Sequence, residues 1–287
     1  MSADLLQQAL RCSDRAQACG ALVPLSTELV QSDGWEPFVV RRLLSRTPKH
    51  LLSGGPKPNP FLPWDPRLEV QRLGDSHLVL LNKFPVQRGH LLLITQRWQP
   101  QAGWLESLDW QALAAVEAKV AGLWFFNSCA AAGASQPHRH LQLLPRQEGT
   151  SSCPLAGEAL AQLRGEGPSW PWAYRLSPRL ATGTSAAAAE LEQLYVRHAR
   201  ELGLGEPGHD PVPTHPYNLL LDRDWLLTVR RRQEHWAGFS INGLGFAGYL
   251  LITEQSDQHW LEQHGPRALL QNVAAPCRAS TDAGPDP

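Results

Sequence analysis

His138, His140 and Gln142 fall at i, i+2 and i+4 within Gly133-Ala-Ser-Gln-Pro-His-Arg-His-Leu-Gln-Leu-Leu-Pro145. In extended backbone alternate side chains share a face. A strand from Pro137 to Pro145 therefore presents two imidazoles and an amide, with Leu144, on one side, while Arg139, Leu141 and Leu143 point the other way. The strand is entered from a small-residue segment, Ala130 to Ser135, whose backbone can come close to a ligand. Three chemistries fit such a face. Two histidines at this spacing can reach one metal ion, but Leu144 and Pro145 stand where a further ligand is needed, and Gln142 is a poor one. Two hydrogen-bonded histidines in a core strand are the purely structural alternative. Nucleophilic catalysis at phosphorus uses every part. A neutral imidazole attacks and leaves phosphorus readily, and an amide holds a phosphoryl oxygen without moving protons. Small loop residues expose N–H groups to an anion. Asn127, Ser128, Ser135, Lys57 and Lys83 would complete a polar, cationic cradle.

The elements that must position this strand can be read from periodicity. Leu5 to Ala18 reads as an amphipathic helix, and Trp35 to Leu44 as a short helix or an extended arm. Ser53 to Pro66 is a Pro/Gly-dense loop carrying Lys57. A meander follows over Leu68–Leu73, Ser76–Phe84 and His90–Thr95, with Asn82 and Lys83 where side chains can leave the sheet. Leu105 to Ala121 is a helix with Asp109 or Ser107 as its cap, and Leu123 to Asn127 is a short buried strand. Residues 146–184 read as a long connection with one short helix at Leu155–Leu163. A helix capped by Thr184 runs to Leu202, and Tyr217–Leu221 with Trp225–Arg230 form a hairpin. At least two of Arg230, Arg231 and Arg232 read as a solvated strand end. After the Gly-punctuated Ser240–Gly248, an apolar strand covers Tyr249–Ile252, and Ser256–His264 is a helix closed by Gly265.

Strands grouped as meander and hairpin, without regular βαβ alternation, give an α+β class. The expected organisation is an N-terminal catalytic part (1–165), a connector and helix (166–203), and a C-terminal part (204–270) completing the same compact fold. The tail, 271–287, is expected to be disordered. With 287 residues, a formal charge of −1 and only 18% charged residues, the chain lacks the positive field of a nucleic-acid protein. No apolar run approaches a membrane span and the first residues lack signal-peptide character. Five cysteines without C-x-x-C spacing suit the cytoplasm.

The central motif, Asn127-Ser128 followed by Gly133-Ala-Ser-Gln-Pro-His-Arg-His-Leu-Gln142, resembles the active-site signature of the diadenosine tetraphosphate phosphorylases, or ATP adenylyltransferases. These are a branch of the histidine-triad superfamily related to galactose-1-phosphate uridylyltransferase. Lys57-Pro-Asn-Pro-Phe, Asn82-Lys-Phe, His90-Leu-Leu-Leu-Ile-Thr, Tyr217-Asn-Leu-Leu-Leu with Trp225, and Asn242-Gly-Leu-Gly-Phe-Ala-Gly248 resemble the family in the same order. The resemblance implies a mostly antiparallel, histidine-triad-like sheet flanked by helices. It implies His140 as nucleophile on the α-phosphorus, His138 positioning it and Gln142 holding the transferred phosphoryl group. ATP would leave first, and phosphate would then release ADP. Lys57, Asn82, Lys83, Asn127, Ser128, Gly133, Ala134, Ser135, Gln136, Asn242 and Gly243 would bind substrate. Gln142 stands where the family's hydrolase relatives carry a third histidine, which suggests transfer to phosphate in preference to water. No protein-held metal or cofactor is implied, although magnesium can accompany the nucleotide. Expected partners are the dinucleoside polyphosphate, ATP, ADP and phosphate, with no nucleic acid or membrane, and the chain is expected to be a monomer or small oligomer. A sugar 1-phosphate acceptor or a non-catalytic dinucleotide-binding role are the alternatives. Cys129-Ala-Ala-Ala132 replaces the family's Gly-Pro-Glu-Ser-like run, Gly243 replaces a usual serine, and Cys12 and Cys19 lack the uridylyltransferases' metal spacing.

Overall fold

The computed structural model describes residues 4–45, 59–146 and 152–277. Helix α1 (Leu5–Ala18) is followed by β1 (Thr27–Val30), β2 (Val39–Leu43), β3 (Glu69–Leu73), β4 (His77–Leu81) and β5 (Leu91–Thr95). Helix α2 (Ser107–Glu117), β6 (Gly122–Asn127), β7 (His140–Pro145), α3 (Ala156–Leu163) and β8 (Tyr174–Pro178) come next. Helix α4 (Thr184–Glu201), β9 (Tyr217–Leu221), β10 (Trp225–Arg230) and two short strands, β11 (His235–Trp236) and β12 (Phe239–Ser240), lead into the last segment. It comprises α5 (Gly243–Ala247), β13 (Tyr249–Ile252) and α6 (Gln258–Val273).

Eight strands form one sheet in the order β3-β4-β5-β7-β6-β9-β10-β8. Every neighbouring pair in it is antiparallel. This is the expected α+β arrangement, and it places β7 in the middle of the sheet. A smaller sheet pairs β2 with β1 and, in parallel, with β13.

Alternation sorts the two faces. Val79, Leu81, Leu91, Leu93, Trp124, Phe126, Leu141, Leu143, Leu219 and Leu221 pack with residues of α1, α2 and α4, including Leu5, Trp110, Leu113, Leu191 and Tyr195. The opposite face is covered in two separate patches. Leu123, Phe125, Leu144, Leu220 and Leu227 meet residues of α3, α5 and α6. Leu78, Leu80, Leu92 and Ile94 meet Phe61. The strand residues between these patches are polar: His140 and Gln142 on β7, Asn127 on β6 and Asn218 on β9. The helix-covered face is mostly apolar, whereas the polar strand residues of the other face gather at its centre, which marks a candidate site by composition.

Several boundaries differ from the sequence reading. Neither Asp109 nor Ser107 caps α2: Glu106 is the cap, Ser107 is the first helical residue, and Asp109, within the first turn, accepts the Glu106 N–H at 2.8 Å. Gly183, at φ 86°, precedes α4 where Thr184 was expected to cap it. Trp35 to Leu44 contributes a strand, because β2 is sandwiched between β1 and β13. The long connection contains β8, which a local reading misses because it is a short edge strand among prolines. Helix α6 does not stop at Gly265. The chain kinks there at φ 77° and Pro266 begins a second helical segment, a position where its missing N–H costs nothing. That segment carries order into the expected tail: Val273 ends the helix, and the Ala275 N–H bonds to the Arg230 carbonyl at 2.9 Å.

Leu143 lies on the helix-covered face of β7 and is fully buried. Leu143→Ala is expected to lower the stability to denaturant by about 2–5 kcal/mol without changing the slope of the unfolding transition. A cost below about 1 kcal/mol would contradict tight packing of that face.

Candidate active site

The tautomer of His140 is set by a hydrogen bond within its own strand. Its Nδ1 lies 2.8 Å from the His138 carbonyl oxygen, which can only accept, so the proton sits on Nδ1 and the lone pair on Nε2. Among the described residues no group hydrogen-bonds that Nε2. The residue is 3% exposed, and burial pushes its pKa down to about 4, leaving the ring neutral at pH 7. A neutral imidazole with a fixed, unoccupied Nε2 has the form that nucleophilic attack requires.

His138 has both ring nitrogens engaged. Its Nε2 donates to the Thr95 carbonyl at 2.8 Å with Thr95 Oγ1 at 2.9 Å, and its Nδ1 accepts from Asn59 Nδ2 at 3.0 Å. Phe61 lies beside both imidazoles, with ring centroids 5.6 and 5.5 Å away. His138 is thus a fixed part of the wall, and burial lowers its pKa as well. Gln142 is oriented by His90. The nearest groups to His90 Nδ1 are two donors, Asn82 Nδ2 and the Val86 N–H, both at 3.4 Å. The proton is therefore on Nε2, which donates to Gln142 Oε1 at 3.1 Å. With its carbonyl end tied back, Gln142 leaves its NH₂ end to face a ligand. His90 is neutral because burial pushes its pKa to about 3.

The small-residue loop closes the opposite side. Ala130–Ala132 form a 3-10 turn, and Gly133 follows at φ 87°. A Cβ at Gly133 would stand 2.6 Å from Asn242 Cβ, so only glycine lets the two loops meet. The amides of Ala132, Gly133 and Ala134 bond back to Cys129 and Ala130 carbonyls. Those of Ser135 and Gln136 have no acceptor among the described residues, and the buried Gln136 Oε1 has no donor. Asn127 and Ser128 are used inside the protein. Asn127 Oδ1 accepts from Asn218 Nδ2 and the Gly243 N–H, both at 2.8 Å, and Ser128 Oγ accepts the Tyr217 N–H at 2.9 Å. Asn242 caps α5 through the Leu244 N–H at 2.9 Å. Asn82 joins the site through His90, whereas Lys83 is exposed on the hairpin beyond it. Lys57 lies outside the described residues.

Five residues that local reading passed over also build the site: Asn59, His90, Thr95, Gln101 and Arg231. His90 carried a signal, since period 2 puts it on one face with Leu92 and Ile94. Arg231 carried none. It stands in a basic run read as largely solvated, yet it is 1% exposed. Its guanidinium donates to Asn218 Oδ1 and to the carbonyls of Ile241 (2.9 Å), Gln233 (2.7 Å) and Val273 (3.1 Å). Burial lowers its pKa to about 9, which still leaves it charged at pH 7. On the far side of β7, Arg139 pairs with Asp109 at 3.0 Å, and Asp109 Oδ1 lies 2.9 Å from His77 Nε2. Among the described residues no three His, Cys, Asp or Glu side chains converge to hold a metal ion, and no helix is long and apolar enough to cross a membrane.

Residues 1–161 match the family model for the Ap4A phosphorylase N-terminal domain, Ap4A being diadenosine tetraphosphate, and residues 168–276 match that for the ATP adenylyltransferase C-terminal domain. The protein APA1 of Saccharomyces cerevisiae is 38% identical over 80 residues, a span that covers 25% of this chain and 25% of that protein. The crystal structure of yeast Ap4A phosphorylase Apa2 superposes with a TM-score of 0.74 at 22% identity, covering 96% of this chain and 99% of that one. The complex of that enzyme with AMP gives 0.75 at 22% identity, covering 97% and 100%. The two structural likenesses show the same fold over nearly the whole chain. Because the two family models together span nearly the whole chain, it belongs to the Ap4A phosphorylase, or ATP adenylyltransferase, family.

Proposed function

We propose that this chain breaks Ap4A with inorganic phosphate to ATP and ADP, through an adenylyl group carried on His140. The observation that carries the reading is the neutral His140 ring, with Nδ1–H given to the His138 carbonyl and Nε2 unengaged. In the first step the Nε2 lone pair forms a bond to the α-phosphorus of Ap4A. The bond from that phosphorus to its bridging oxygen breaks, and its electron pair leaves with ATP. In the second step an oxygen of phosphate attacks the same phosphorus, the P–N bond breaks, and ADP departs with the imidazole lone pair restored to Nε2. While the ring carries the adenylyl group it is cationic, and the His138 carbonyl stabilises the Nδ1–H through which that charge is shared.

Gln142 is suited to donate its NH₂ to a non-bridging oxygen of the transferred phosphoryl group, because His90 holds the other end of the amide. An amide cannot take a proton from water, which favours phosphate, already an anion, as the second nucleophile. The Ser135 and Gln136 amides and the buried Arg231 charge supply a positive environment for the polyphosphate. Lys57 and Lys83 are proposed to add cationic reach. Magnesium is proposed to travel with the nucleotide as counter-charge, without ligands from the protein. The five free cysteines suit a reducing cytoplasm.

Mass spectrometry of protein incubated with Ap4A in the absence of phosphate is expected to find one adenylyl adduct on the peptide containing His140. His140→Ala is expected to lose both adduct and turnover. Substantial phosphorolysis by that variant would overturn the reading, and hexose 1-phosphate in place of phosphate tests the acceptor. The pH dependence has a definite sign. A depressed imidazole pKa keeps the lone pair available until pH falls through about 4, and the diester-type phosphates of Ap4A do not titrate near neutrality. Single-turnover adenylylation at low Ap4A concentration is thus expected to stay level from pH 8 to below pH 5.5. A decline centred near the ordinary histidine value of about 6.5 would contradict a buried, neutral nucleophile.

A further inference from the structure

We infer that Gln101 is a positioning residue for His140, acting as a wedge that replaces a rung of the sheet ladder beneath the nucleophile; this rests on the reading of His140 above. Strands β6 and β7 pair from Gly122↔Pro145 to Phe125↔Gln142. Continued in register, that ladder would set Asn127 opposite His140. It stops short, and the Gln101 carboxamide occupies the place of the direct bonds. Its Oε1 accepts the His140 N–H at 2.8 Å. Its Nε2 donates to the Asn127 carbonyl at 2.7 Å and to the His140 carbonyl at 3.2 Å.

The side chain is held to its task. Gln101 is 2% exposed, and its own N–H donates to the Pro137 carbonyl at 2.8 Å. The Arg139 N–H donates to the Gln99 carbonyl at 2.9 Å, and Pro100 forms a bridge with His138. Residues 99–101 thus run beside 137–140 as a short extra strand whose last member turns its amide into the sheet. The consequence is a local splay: β7 keeps its pairing with β5 as far as Ile94↔His140 but parts from β6 at the nucleophile. The wedge leaves no buried backbone group of His140 unpaired while it widens the face on which the imidazole stands. It also ties His140 to Asn127, whose side chain holds Asn218 and the Gly243 amide. One carboxamide therefore joins the nucleophile to the loop region on the other side of the site.

A carboxamide does this because one end accepts and the other donates. A carboxylate would put a second acceptor against two carbonyl oxygens, while a protonated carboxylic acid would restore the pattern. Gln101→Glu is accordingly expected to adenylylate slowly at pH 8 and to recover as pH falls towards 5, where the wild-type rate is level. Gln101→Met keeps the volume and loses both functions. It is expected to slow single-turnover adenylylation by about 10²-fold, with the dissociation constant for Ap4A changed less than about twofold, since a small displacement of a reacting group acts on the chemical step. Thermal unfolding at each pH verifies that the protein is folded at the assay temperature. A folded Gln101→Met variant that adenylylates within about twofold of wild type overturns the inference, as does a pH-independent rate for Gln101→Glu. If Gln101→Met does not fold, the Glu variant at low pH decides alone. Absence of any adduct on the wild-type protein would instead strike at the assignment of His140, leaving the two failures distinct.

Discussion

The hydrogen bond from His140 Nδ1 to the His138 carbonyl is the contact on which the rest of the site depends. Imidazole has two nitrogens of nearly equal basicity, so a histidine in water divides its proton between them. Tying one N–H to a carbonyl two residues back makes the other nitrogen the lone-pair site all the time. Burial then works in the same direction by opposing protonation of the ring. Neither effect needs a carboxylate partner. The result is a neutral ring with its lone pair fixed on Nε2 by backbone geometry and low polarity, without an acidic group beside it among the described residues.

The same logic extends outward. The polar side chains around His140 are anchored by the protein itself: His138 at both ring nitrogens by Thr95 and Asn59, Gln142 at one end by His90, and Asn127 through its Oδ1 by Asn218 and Gly243. Anchoring at the cost of one hydrogen-bonding end leaves a rigid site with few free groups, which suits stabilisation of charge without reorganisation. The burial of Arg231 belongs to this scheme. A guanidinium removed from water is expensive unless its donors are satisfied, and carbonyl and amide oxygens around the two loops satisfy them without neutralising the charge.

The opposite face of the sheet performs a different service. Arg139, between the two histidines, points into the helix-covered side and meets Asp109, which also holds His77 and the Glu106 amide. A buried charge set fixes register more firmly than apolar packing does, because a slip by one residue would strand an unpaired guanidinium in the core. The alternation His-Arg-His thus sends alternate residues to two places, the candidate site on one face and a registering charge set on the other.

The amino-acid sequence by itself determined the facing of the strand and most of its length, although β7 begins at His140 and not at Pro137, with His138 held by an isolated bridge to Pro100. Period 2 forces His138, His140 and Gln142 onto one side whatever the rest of the chain does, and the helices, meander and hairpin follow from similarly local patterns. The tertiary structure decided which polar residues are engaged in holding other residues in place. Asn127 and Ser128 carry the same donors and acceptors either way, and only the positions of Asn218, Gly243 and Tyr217 show them turned inward. It also decided the parts played by Gln101 and Arg231. Nothing in the chain around either residue distinguishes it: the partners of the Gln101 side chain lie 26 and 39 residues away, and those of Arg231 are gathered from Asn218, Gln233, Ile241 and Val273 only by the fold. Local spacing can fix the direction of a side chain; what stands at its other end is a property of the folded whole.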